Sequence, residues 1–206
     1  MPRELSEYHR RIATDNRAAI LDAATALFLE LGYERTSLAK VADNAGVSKA
    51  TLFKQFPTKA ELFEAMVLGA GDTTDPEVMI PSSSDFHAGL VSLGMAYAEV
   101  LGRPRMTDLI RAVITESARF PELREQTFNF GTLAVLRALR DFLDVANSRG
   151  DANVEDPDVA SAQFLGMIAT VVFWPRLVHV GWSLTDEQIR HTVDEAAKTI
   201  AARYAG

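Results

Sequence analysis

The sequence predicts an all-α protein, a small three-helix head with a helix-turn-helix joined to a larger helical bundle, about nine helices in all. Three observations carry that prediction. Apolar residues recur at spacings of three and four, no run sustains a period of two, and Gly or Pro falls where each periodic stretch should stop. With 206 residues and 48% apolar content the chain can bury a real core, while 24% charged residues exclude a disordered or membranous composition. The longest apolar stretch, Phe164 to Trp174, is too short to span a bilayer, and no signal pattern opens the chain. Zero cysteines exclude a disulfide scaffold and a thiol nucleophile and fit a cytoplasmic protein.

The elements follow in order. Residues 1–13, with Arg3, Arg10 and Arg11, read as a flexible basic arm. Helix one runs from about Asp15 to Leu31, its stripe Ile20, Ala23, Ala24, Leu27, Phe28 and Leu31 ending at Gly32. Short helices follow at Leu38–Ala45 and Lys49–Phe56, and a fourth from Thr58, capped by a Thr58–Glu61 box, to Leu68. Gly69 to Ser84 reads as a linker, so the head spans 14–74 and a second domain 75–206. There, helical periodicity covers about Phe86–Leu101, Met106–Arg119, Glu122–Ser148, Pro157–Val178 and Thr185–Tyr204. Pro175 should kink or end the fourth of these, and Thr185 with Gln188 forms a capping box for the last.

Charge is distributed unevenly. Residues 1–60 carry nine Lys and Arg against seven Asp and Glu, the remainder twelve against twenty-one. A polyanion is therefore met by the first third or not at all. Within it, Leu38, Val41, Ala42 and Ala45 form one buried face, small enough at Ala42 and Ala45 for a second helix to cross closely. Gly46 supplies the left-handed conformation that ends the first helix, Val47 fills the corner, and Ser48 caps the next. Stepping 100° per residue, Leu52 and Phe56 share the inward side of that helix; Ala50, Thr51 and Lys54 lie opposite, with Gln55 flanking. Such an outward face fits a major groove: Ala50 and Thr51 against thymine methyls or base edges, Lys49 and Lys54 against guanine acceptors or phosphate. Thr36, Ser37 and Ser48 at helix starts, and Lys59, are phosphate candidates.

Gly32-Tyr33, Thr36-Ser37, Val41-Ala42, Ala45-Gly46-Val47-Ser48, Leu52-Phe53, Phe56, Lys59 and Leu62-Phe63 resemble, in type and spacing, the TetR family of transcriptional regulators. The resemblance covers about residues 14–74. It implies a homodimer acting on a palindromic double-stranded operator, commonly a repressor released by a ligand. The family usually has tyrosine where Phe53 stands and often histidine where Gln55 stands, so Phe53 keeps the ring and loses a hydroxyl that commonly touches phosphate. A looser resemblance to the AefR-like subgroup rests on Glu116-Ser117-Ala118-Arg119-Phe120-Pro121-Glu122-Leu123, on Gly150, and on Asp156-Pro157 through Gln163-Phe164-Leu165-Gly166.

In the second domain, Pro157 to Trp174 is apolar nearly all round and must be covered on several sides. With the amphipathic final helix it predicts a dimer interface of Phe164, Ile168, Val172, Ile189, Val193, Ile200 and Tyr204; burial within one chain is the alternative. Polar residues among large apolar ones predict a pocket for a largely apolar small-molecule effector, with Tyr97, Arg111, Thr115, Phe120, Phe130, Gln163, Met167, Phe173 and Trp174 as its lining, against the plainer reading that they are core. The helix from Thr58 is the expected lever of the switch.

No cofactor, metal site or catalytic residue is expected. His9, His87, His179 and His191 lack ligand spacing, Gly69-Ala70-Gly71 is not a phosphate loop, and no nucleophile stands beside a base. The competing functions are a small-molecule-binding helical protein without DNA binding, an activator, and, furthest from the residues, an enzyme.

Overall fold

The structure is a computed structural model that describes residues 2–71, 85–121, 134–179 and 181–206. Among them are ten helices and no strand: α1 (Pro2–Arg35), α2 (Leu38–Asn44), α3 (Lys49–Gln55), α4 (Lys59–Gly71), α5 (Phe86–Gly102), α6 (Pro104–Glu116), α7 (Ala134–Arg149), α8 (Pro157–Val172), α9 (Trp174–Val178) and α10 (Asp186–Tyr204). The all-α expectation holds, with one helix more than the sequence suggested. The chain divides into two compact units: a head unit, Met1–Gly69 with Asp108–Phe128, and a bundle unit, Ala70–Thr107 with Asn129–Gly206. This division at 69 stands beside the boundary expected after residue 74, and the head unit also takes in the later part of α6.

In the head unit α1 begins at Pro2, so the segment read as a flexible arm is helical from there. Gly32, with φ of 79°, leaves helical geometry and turns the chain, as its position after Leu31 predicted. Ile20, Ala24, Leu27 and Phe28 are buried. Phe28 stacks on Tyr33 at 5.6 Å, and Phe63 of α4 meets both edge-on at 5.3 and 5.5 Å. Thr58 and Glu61 close the anticipated box at the start of α4, each donating its backbone N–H to the other's side chain at 3.1 Å.

The bundle unit is built around α5. Gly89 lets the ring of Phe142 pack where a Cβ would stand 2.2 Å from Cζ. Gly94 admits Val193, Phe164 and Ile168 in the same way, at 2.7 to 3.1 Å. These two glycines allow α7, α8 and α10 to approach α5 closely. Asp156 caps α8, and Pro157 occupies its first turn, where its missing N–H costs nothing. Pro175 divides the expected long helix: α8 stops at Val172 and the five-residue α9 starts at Trp174. Thr185 and Gln188 complete the capping box of α10. Residues 72–84 of the expected linker and 122–133 of the expected helix before α7 lie outside the described residues.

Candidate nucleic-acid interface

The corner between α2 and α3 is set by backbone chemistry. Val47 donates its N–H to the Ala42 carbonyl at 3.1 Å and Gly46 to that of Asp43 at 3.3 Å, closing α2 over a Gly46 whose φ is 65°. Ser37 Oγ accepts from Lys40 N–H at 3.3 Å and Ser48 Oγ from Thr51 N–H at 3.0 Å, so both serines cap the helices they precede. Val41 and Ala42 are fully buried, as are Leu52 and Phe56 of α3. With those two inward, Lys49, Ala50 and Lys54 are exposed, Thr51 and Gln55 are half-buried, and Phe53 is 47% exposed. The outward side of α3 therefore offers a methyl, a hydroxyl, an aromatic ring and two amines. Thr51 Oγ1 lies 2.8 Å from Ser48 Oγ, which holds its hydroxyl in place.

Two phosphate candidates leave the set. Thr36 is only 2% exposed, and its hydroxyl is engaged with the Gly32 and Leu27 carbonyls at 2.9 and 3.2 Å, inside the turn that follows α1. Lys59 turns its ammonium to the carbonyls of Tyr33 and Glu34 at 2.7 and 3.4 Å and sits 4.2 Å from the Tyr33 ring centroid. It neutralises the carbonyl end of α1 and joins α4 to it. Ser37 stays exposed at the head of α2. The sequence reading passed over Arg17, which lies 4.6 Å above the Phe56 ring with its guanidinium exposed. The signal was a basic residue at a stripe position, three residues before Ile20 and seven before Ala24.

The residues expected to line one effector pocket fall into both units. Arg111, Thr115 and Phe120 belong to the head unit. There Arg111 pairs with Asp108 at 3.1 Å, Thr115 donates to the Arg111 carbonyl at 2.9 Å, and the Phe120 ring lies 4.8 Å from Tyr33. Tyr97, Gln163, Met167, Phe173 and Trp174 belong to the bundle unit, and Phe130 lies outside the described residues. Gln163 is on the surface and accepts from the Tyr204 hydroxyl at 3.4 Å, while Trp174 is 55% exposed. Phe173 is buried core. Tyr97 and Met167 are half-buried, and burial pushes the Tyr97 phenol up to about 12. Each unit has open clefts of its own, one of about 660 Å³ between α5 and α10 and one of about 450 Å³ between α1, α4 and α6.

The expected dimer residues are corrected more sharply. Phe164, Ile168, Val172, Val193, Ile200 and Tyr204 are all buried within the single chain, and Ile189 is half-buried. The cause is α5, whose Gly94 receives Phe164, Ile168 and Val193. The opposite side of α8 is exposed instead, with Val159, Ala162, Gln163, Gly166, Thr170 and Val171 at helical spacing.

Among the described residues no three His, Asp or Glu side chains gather as a metal site, and no helix is long and apolar enough to cross a membrane.

Comparison with known proteins decides the family. The pattern described as "Bacterial regulatory proteins, tetR family" matches residues 20–66, and that of the "AefR-like transcriptional repressor, C-terminal domain" matches residues 88–206, more than half of the chain. The chain belongs to the TetR family of transcriptional regulators. Its α2–α3 corner lies within the residues that the tetR-family pattern matches. The uncharacterised HTH-type transcriptional regulator YvkB of Bacillus subtilis is 28% identical over 131 residues, which span 64% of this chain and 67% of that one. Other curated relatives match over about half their length. Among solved structures, a TetR-family regulator from Mesorhizobium loti superposes with a TM-score of 0.74 at 24% identity, covering 94% of this chain and 98% of its own. The flavonoid-responsive regulator FrrA gives 0.69 at 28% identity, covering 92% and 97%.

Proposed function

We propose that this TetR-family regulator is a ligand-released repressor that binds a palindromic operator as a homodimer. The observation that carries the reading is the outward side of α3. Ala50, Phe53 and Lys54 are exposed on a helix that its own capping and its buried Leu52 and Phe56 hold in one orientation. In this reading α3 enters the major groove: Ala50 and Thr51 meet base edges, Lys49 and Lys54 guanine or phosphate, and Phe53 and Gln55 the groove walls. Ser37 and Ser48 bind phosphate.

One short helix in one groove gives little specificity, and a two-fold pair doubles the sequence read. The exposed stripe of α8 supports pairing. Gly166 and Ala162 at its centre allow close helix approach, and Val159 and Val171 supply apolar area at its ends. Repression is supported by the AefR-like description of the matched C-terminal pattern. Ligand response is supported by the likeness to FrrA, whose name states that it responds to flavonoids. An effector that favours the DNA-incompetent state by about 1–3 kcal/mol lowers operator affinity roughly 5- to 150-fold.

Selection of bound sequences from random duplexes tests the reading. It predicts enrichment of a two-fold symmetric site whose half-sites lie about one helical turn, or a multiple of it, apart. Enrichment of asymmetric single sites removes the dimer, and no enrichment removes sequence-specific binding. A promoter carrying the selected site should be silenced in a purified transcription system; stimulation would make the protein an activator.

A further inference from the structure

The cleft of about 450 Å³ in the head unit has an unusual chemistry for a surface groove. Phe28, Tyr33 and Phe63, packed on one another and each nearly fully buried, close its base, and Leu29, 40% exposed on α1, stands at its rim. Ala112 and Thr115 of α6 line one side. Glu116 reaches in from the end of α6, and one oxygen of its carboxylate, Oε2, is buried with no hydrogen-bond partner. The other, Oε1, lies against Gly32, 3.2 Å from where a Cβ would stand. A buried acceptor without a donor is costly, and the cost is larger for a charged group. The charged lining comprises two carboxylates, Asp108 and Glu116, and one guanidinium, Arg111, which is paired with Asp108 at 3.1 Å. The lining charges sum to one negative, while the Lys59 ammonium stands 4.2 Å from the centroid of the Tyr33 ring.

We propose that this cleft binds a small aromatic cation, its nitrogen donating to Glu116 and its ring lying in the cleft against Leu29 and Ala112, and that the protein uses it as an effector site on the head unit itself. The cleft has room for a small ring, and an ammonium supplies the donor that Glu116 Oε2 lacks. An anion would meet Glu116 and Asp108 with only a guanidinium already engaged. The cleft touches Gly32 and Tyr33, and the Tyr33 carbonyl is the one that Lys59 of α4 grips at 2.7 Å. Occupancy therefore bears on the junction that sets α4 against α1. The effector half of the proposal rests on the ligand-released reading above; the binding half does not.

The experiment uses the full-length protein and three indoles of nearly one shape: tryptamine, a cation at neutral pH, indole-3-ethanol, which is neutral, and indole-3-acetate, an anion. Calorimetry and ligand-observed NMR should rank them in that order, with tryptamine about tenfold or more tighter than indole-3-acetate. Glu116→Gln should weaken tryptamine about tenfold and leave indole-3-ethanol nearly unchanged. Ala112→Phe, which fills the cleft, should remove all three, and Thr115→Phe serves the same purpose should the first variant melt early. Trp174→Ala, in the other unit, should change nothing. No tryptamine binding at millimolar concentration, equal affinities across the series, indifference to Glu116→Gln, or binding that survives both filling variants overturns the site. Operator affinity is measured separately. Tryptamine that binds without altering it overturns the effector role, and a protein that binds tryptamine but no operator fails the reading above rather than this site.

Discussion

α3 of the head unit and α8 of the bundle unit make an instructive pair. Both carry large apolar residues, and each shows one side to solvent. α3 is amphipathic, so its inward Leu52 and Phe56 leave Ala50 and Lys54 outward by subtraction, and the structure agrees. α8 is apolar nearly all round, and subtraction fails. Its large residues, Phe164, Ile168 and Val172, are held inside the chain by α5, while the exposed side is the smaller and more polar one: Ala162, Gln163, Gly166, Thr170. A helix declares its free face in sequence only when its two faces differ in kind.

Substitutions that act on one helix and spare the other sharpen that contrast. The largest effect is expected in the core beneath α8. Phe164→Ala should destabilise by about 3–5 kcal/mol, read by denaturant unfolding. A loss below about 1 kcal/mol would place Phe164 at an intermolecular surface after all. On α3, Ala50→Asp with Lys54→Glu should weaken operator binding about a hundredfold or more with the melting temperature unchanged, since both side chains are exposed. On the free side of α8, Gly166→Glu with Thr170→Glu should convert dimer to monomer in sedimentation while the helical content stays constant. Dimer that persists moves the interface elsewhere. Removing the cap of α3 with Ser48→Ala should cost about 1 kcal/mol, with a modest loss of operator affinity through fraying of the helix start.

The smallest effect is confined to alkaline solution. Burial raises the Tyr97 phenol from 10.0 to about 12, so the folded state holds this proton where the unfolded chain has begun to lose it. The stabilising difference is fully present below pH 10 and is lost as pH rises through 12. Tyr97→Phe should flatten that decline and leave stability at pH 7 nearly unchanged; identical alkaline slopes would show that Tyr97 is not the group responsible.

The contrast also explains what the sequence could and could not disclose. Helix ends were legible because they depend on neighbours in the chain: Gly32, Gly46, the Thr58–Glu61 and Thr185–Gln188 boxes, and Pro175 all act where expected. The orientation of α3 was legible for the same reason. Partners remote in sequence were not. That Thr36 would turn inward to the Leu27 carbonyl, or Lys59 to that of Tyr33, depends on a bend at Gly32 whose direction no local pattern records. The effector lining was assembled from residue types alone, and types do not say that Arg111 and Phe120 belong to one unit and Met167 and Phe173 to the other. Nor does composition reveal that Gly89 and Gly94 serve as seats for Phe142 and Phe164, which is why the bundle's large residues looked like a surface waiting for a second copy.

The salt dependence of binding to a selected duplex tests the central claim, that the outward side of α3 lies against DNA, most directly. Plotted as the logarithm of affinity against that of salt concentration, the wild type should give a steep negative slope. Lys54→Gln should make it shallower by about one. A flat wild-type slope, or one that Lys54→Gln and the Ala50→Asp, Lys54→Glu pair leave untouched, would contradict the account.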